Sequence, residues 1–161
     1  MEMVRSQLRV ILEPHYPLPK TIYQNEASLA DFGQFLLDKR NASLGDSLTN
    51  FLYSCAISLS KRKMTGVKVS DRILVEGYQQ SQLRSWLPLH GNRKDQANGL
   101  EALVFYVWVV HEYTTEEMSL VIRSVLQGGP LGSNDEEKRT AAKAFTKLFN
   151  TFHNLLYENE A

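Results

Sequence analysis

The stretch Ala102-Leu103-Val104-Phe105-Tyr106-Val107-Trp108-Val109-Val110 places nine apolar or aromatic residues in a row. On propensity alone its Val104 to Val110 part would pass for a buried strand. We read it as a helix, because every other long segment is patterned as a helix and a lone strand would have no partner for its backbone ladder. That choice makes the whole chain all-α.

Working outward, Thr114 with Glu117 matches a capping box and opens a helix to about Leu126, which Gly128-Gly129-Pro130 would end. Asn134 or Ser133 then caps a last helix, about 135 to 157, with Ala141, Phe145, Leu148, Phe149, Phe152 and Leu155 on one stripe. Upstream of the apolar run, Pro88, Gly91 and Asn92 make a polar connection ending in Arg93 and Lys94. Before it, Ser70 caps a helix through Ile73, Leu74, Tyr78 and Leu83 to about Leu87.

Gly45 precedes a further helix, with Leu48, Phe51, Leu52, Cys55 and Leu59 on one face. It runs into the basic Lys61, Arg62 and Lys63, and Gly66 marks the turn after it. Ser28 with Asp31 resembles another capping box and opens a helix from about 28 to 39. Met1 to Leu12 is patterned as a short helix, after which Pro14, Pro17 and Pro19 force an extended strap. The expected organisation is one domain over 1–161, with a strap at 1–25, a core at 28–127 and a C-terminal helix at 134–161.

A length of 161 residues suits one compact core. With 43% hydrophobic and 22% charged residues, the composition argues against disordered, collagen-like and disulfide-framework classes. Eighteen Lys plus Arg balance eighteen Asp plus Glu, so overall charge cannot draw a polyanion and any such partner must meet a local patch. The lone Cys55 has no internal partner, sits in an apolar run and reads as a small buried thiol in a reducing compartment. Arg5, Gln7 and Arg9 interrupt the first apolar stretch, and nowhere do about 18 apolar residues run together as a membrane span requires. A cytoplasmic setting is expected, with no membrane partner.

Two carboxylates stand out. Asp46 opens the helix after Gly45 and reads most simply as its N-cap, yet its own face carries Asn50, Tyr53 and Ile57, so both sides of that helix are covered. Glu101 directly precedes the apolar run, and its neighbours three and four residues away, Ala97, Asn98, Val104 and Phe105, include no cation. An unpaired buried carboxylate costs several kcal/mol, so Glu101 must reach solvent in a cleft, take a proton, pair with a distant base or bind a metal ion. A hard cation such as Mg²⁺ needs only one or two carboxylates plus water. The four histidines, His15, His90, His111 and His153, have no metal-ligand spacing, and no phosphate loop, nucleophile elbow or nucleotide-cofactor motif is present.

Ser43-Leu44-Gly45-Asp46-Ser47 resembles the glycine-aspartate signature of the ribonuclease III catalytic domain. Asn98-Gly99-Leu100-Glu101-Ala102-Leu103-Val104 is similar to that family's second acidic motif, and Thr65-Gly66-Val67-Lys68-Val69-Ser70 resembles a turn of its short Mini-III branch. The resemblance spans roughly 28 to 127. It implies a helical endonuclease domain that pairs as a two-fold homodimer, with Asp46 and Glu101 as catalytic acids binding Mg²⁺ or Mn²⁺ and Asn98 offering a neutral oxygen. The long enzymes of the family carry two further acids, where this chain has Ala42 and Asn98.

The implied activity is metal-assisted hydrolysis of phosphodiester bonds in double-stranded or structured RNA. Arg93, Lys94, Lys61, Arg62, Lys63 and Lys68 are the candidate RNA-binding residues, since A-form RNA is held through phosphates and hydroxyls. Two other readings stay open at this stage: a catalytically inactive module of the same fold that binds RNA or joins an assembly, and an all-helical protein-interaction domain in which Asp46 is a cap and Glu101 an ion pair.

Overall fold

A helix that is apolar on every side must be surrounded, and the run Ala102 to Val110 is. In the computed structural model, which describes residues 1–127 and 135–157, the chain forms α1 (Glu2–Leu12), α2 (Glu26–Leu37), α3 (Lys39–Lys61), α4 (Asp71–Gln79), α5 (Leu83–Trp86), α6 (Arg93–Val110), α7 (Thr115–Leu126) and α8 (Asp135–Tyr157). There is no strand among the described residues. The expected helix terminator at 128–130, the cap at 133 or 134 and the chain end at 158–161 lie outside them.

The axis of the fold is α6. Its most extensive partner is α3, and α1, α2 and α4 also pack on it. No residue from Leu100 to Val110 is more than 5% exposed. Packing on α4 and α7, α8 buries Phe145, Leu148, Phe149 and Phe152 completely, so its stripe serves the domain's own core. The strap is tied down at both ends of its course. The Tyr16 hydroxyl donates to Asp38 and the Tyr106 hydroxyl to the Pro19 carbonyl, while the Ile22 amide reaches the Leu156 carbonyl at 2.9 Å. No helix among the described residues is long and apolar enough to cross a membrane.

Several caps act as their sequences suggest. The Ser70 and Thr114 side chains accept from the amides of Ile73 and Glu117. Other boundaries move. The N-cap of α2 is Asn25, and Ser28 instead accepts from the Tyr23 amide. The expected Ser70 to Leu87 helix breaks into α4 and α5. Arg93 and Lys94, expected in the connection, form the first turn of α6, because Asn92 and Asp95 close a capping box just ahead of them.

The largest correction concerns α3. It starts at Lys39, capped by Asp38, so Gly45 and Asp46 lie inside the helix and Asp46 is not its N-cap. A mid-helix glycine costs roughly 1 kcal/mol and reads as a breaker. Here the cost is offset by a contact from the distant chain: a Cβ at Gly45 would lie 1.9 Å from the Glu101 carbonyl oxygen. The same logic holds at Gly77 of α4, where a Cβ would meet that of Phe145 at 2.9 Å.

The buried face of α3 also differs from expectation. Thr49, Leu52, Tyr53, Ala56 and Ile57 point into the domain, whereas Phe51 and Leu59 of the expected stripe are 59% and 47% exposed and Cys55 is half-buried. A helix with apolar residues on two faces gives a period but no choice between them.

Gly45→Ala is expected to force α3 off α6 and lower stability in urea unfolding by about 3 kcal/mol, the upper part of the range for overpacking. Gly33→Ala, inside α2 with nothing within 4 Å of the new methyl, is expected to be neutral or to stabilise by up to about 1 kcal/mol.

Candidate functional site

The close approach at Gly45 decides where the next side chain goes. Asp46 follows Gly45 on α3 and Glu101 supplies the α6 backbone that Gly45 touches, so the two carboxyl groups come within hydrogen-bond reach of each other. Both line an open cleft of about 450 Å³, together with Lys39, Ala42 and Ser43 of α3, Lys68 of the 62–70 connection, Asp71 of α4, and Lys94 and Asn98 of α6. Four separate segments thus meet at one place.

Glu101 is 5% exposed. Burial first, then the hydrogen bond with Asp46 and the charges of Asp46 and Asp71, push its carboxyl up to about 8, while the nearby Lys68 charge opposes the rise. Asp46 is also held by Asn50, whose side-chain nitrogen donates to its Oδ1 at 3.0 Å. Two carboxyl groups in contact need a proton or a cation between them, and desolvation makes the need acute. Three exposed lysines, Lys39, Lys68 and Lys94, line the same cleft and match its three acids in number, and among the described residues no salt bridge joins a lysine to Asp46 or Glu101.

Of the residues expected from sequence, the cleft gathers Asp46, Glu101, Asn98, Lys68 and Lys94. Arg93 is exposed on the first turn of α6 and does not line it. Lys61, Arg62 and Lys63 stand at the far end of α3, about 22 Å along the helix from Asp46 at 1.5 Å per residue. Lys61 there pairs with Glu137 at 3.6 Å.

Sequence reasoning passed over Asp71, Lys39 and Asn50. Asp71 sits in the first turn after a capping serine, where the helix dipole accounts for an acid, and Lys39 reads as the end of α2 until α3 is seen to begin with it. Among the described residues, no group of three or more His, Cys, Asp or Glu side chains is close enough to hold a metal by itself. The oxygen-bearing side chains that line the cleft are Asp46, Asp71, Glu101, Asn98 and Ser43. Elsewhere, burial lowers the His111 pKa, and His153 packs against the rings of Trp86 and Tyr157.

Compared with known proteins, residues 39–157, about three quarters of the chain, match a family model described as Ribonuclease III. The match runs past the expected limit at 127 to include α8. No curated protein matches the chain.

The Glu101 shift has a stability consequence. Its folded-state pKa lies above the ordinary glutamate value of 4.5, so its contribution is fully present below about pH 4.5 and is lost as pH rises through about 8. The metal-free protein is expected to lose stability across that window, and Glu101→Gln to flatten the loss. Urea unfolding of both proteins at pH 5, 6.5 and 8.5 checks this; equal slopes would show that Glu101 is not the group responsible.

Proposed function

The chain belongs to the ribonuclease III family, and from that premise we propose that it is a metal-dependent endoribonuclease acting on double-stranded or structured RNA in RNA processing. The observation that carries this reading is the contact of Asp46 and Glu101 at an open cleft rimmed by Lys39, Lys68 and Lys94.

The donor chemistry fits a hard divalent cation. A buried carboxylate raised to about 8 beside a second carboxylate is the environment that such an ion would relieve, and Asp46 and Glu101 would hold Mg²⁺ or Mn²⁺ with Asn98 as a neutral oxygen donor and water completing the shell. When bound, the ion would supply Lewis acidity toward water and phosphate oxygen. The chain's own part is to bind and orient. Lys39, Lys68 and Lys94 attract phosphate oxygens to the cleft by charge, without reading bases. Glu101 must give up its proton before it can ligate, so metal affinity rises with pH toward about 8. Asp71 adds negative potential to the cleft from a third element and partly makes up for the acids missing at Ala42 and Asn98.

The proposal includes a homodimer. Leu44, Phe51 and Leu59 are 40%, 59% and 47% exposed and, with the half-buried Leu48 and Cys55, form one apolar face of α3. Ser43 and Lys39 join the cleft to a shallow depression that reaches Leu44, so RNA lying in the cleft would approach the same face. A cytoplasmic, reducing setting remains part of the proposal, consistent with the unpaired Cys55.

The decisive experiment is cleavage of a long RNA duplex in Mg²⁺ and in EDTA. Cutting is expected in Mg²⁺ alone and to fall at least a hundredfold in both Asp46→Asn and Glu101→Gln, on the order of the loss of one electrostatic contact to the transition state. Duplex binding without cutting would instead place the chain with the inactive modules of its fold, and neither binding nor cutting would favour a protein-interaction domain. Phe51→Glu is expected to leave a folded monomer in sedimentation velocity while the parent sediments as a dimer; a monomeric parent would remove the dimer from the proposal.

A further inference from the structure

Asn50, Ser54 and Ser58 repeat every fourth residue along α3, and each meets the backbone of the connection that follows the helix. Ser58 Oγ accepts from the Thr65 amide at 2.8 Å and donates to the Thr65 carbonyl at 3.1 Å. Ser54 Oγ does the same with Val67, at 2.9 and 3.1 Å. Asn50 Oδ1 accepts from the Val69 amide at 2.8 Å. The partners advance by two residues while the helix steps back by four. Four helical residues rise about 6.0 Å and two extended residues about 6.6 Å, so an extended segment can run antiparallel to a helix with every second residue in register.

The segment 65–69 is thus laced to α3, and the alternate residue Lys68 lines the cleft. The lacing ends at Asn50, which has a second partner: its Nδ2 donates to Asp46 Oδ1 at 3.0 Å. The amide cannot be turned over, because its oxygen is already engaged by an N–H and only the nitrogen can face a carboxylate. One side chain therefore joins an acid of the cleft to the segment that delivers Lys68 and the Ser70 cap of α4.

We propose that Asn50 is a positioning residue for the reaction, holding the Asp46 carboxylate in its metal-binding orientation while the lacing of Ser54 and Ser58 sets the position of Lys68. This role rests on the nuclease reading given above. It separates two effects: loss of Asn50 disturbs the acid, whereas loss of Ser54 loosens only the segment.

The test compares Asn50→Ala with Ser54→Ala in full-length protein, reading Mn²⁺ affinity by electron paramagnetic resonance, amide hydrogen exchange over 65–69, and kcat and KM on duplex RNA. Both variants are expected to speed exchange at their partner amides, Val69 and Val67. Asn50→Ala is expected to weaken Mn²⁺ binding and lower kcat by about tenfold each, the lower end of what outer-shell partners of metal ligands cost. Ser54→Ala is expected to keep Mn²⁺ affinity and raise KM several-fold. Equal Mn²⁺ affinity and equal kcat in the two variants would overturn the positioning role while leaving the nuclease reading intact. A wild-type protein that neither binds Mn²⁺ nor cuts duplex RNA would overturn both.

Discussion

Everything at the cleft depends on how closely α3 can approach α6. Only a residue without a side chain fits between the α3 backbone and the Glu101 carbonyl, and Gly45 is that residue. Because Asp46 follows it directly, the same contact that seats the two longest-paired helices also brings an acid from each to one point. Helix packing and the placement of the two acids are coupled here through one crossing. A methyl group at Gly45 would separate the helices and the acids together.

The electrostatics follow from that geometry. The α6 helix is buried along its whole second half, so the first acid ahead of its apolar run inherits a desolvated environment. Asp46 and Asp71 add negative charge, and the lysines of three different segments line the cleft with no salt bridge to Asp46 or Glu101 among the described residues. The proposed nuclease reading builds on this arrangement, with a metal ion replacing the proton inside and phosphate meeting the lysines outside. Holding two carboxyl groups together in a desolvated site costs stability, which the packing of the rest of the domain must offset.

Outside the crossing, the chain uses polar side chains to hold extended segments against helices. Tyr16 and Tyr106 secure the strap before α2, and Asn50, Ser54 and Ser58 secure the segment after α3. Extended backbone without a sheet must find donors and acceptors somewhere, and helix side chains at a four-residue spacing provide them. This gives a structural meaning to the polar residues on α3, which in a purely amphipathic reading look like a solvated face.

The sequence by itself determined the helical class, the caps at Ser70 and Thr114 and the buried course of residues 102–110, and it singled out Asp46 and Glu101, which the fold brings to one cleft. These are local or periodic signals: a cap is decided within four residues, and a nine-residue apolar run beside an unpaired acid is unusual wherever it folds. Only the tertiary structure decided that α3 begins at Lys39 and continues through Gly45, that its Leu52 face rather than its Phe51 face is buried, and that Asp71 and Lys39 join the cleft. The physical reasons are all non-local. A helical period cannot choose between two apolar faces, a mid-helix glycine is tolerated only when another backbone needs the space, and an acid at a helix start looks ordinary until a second acid is folded against it.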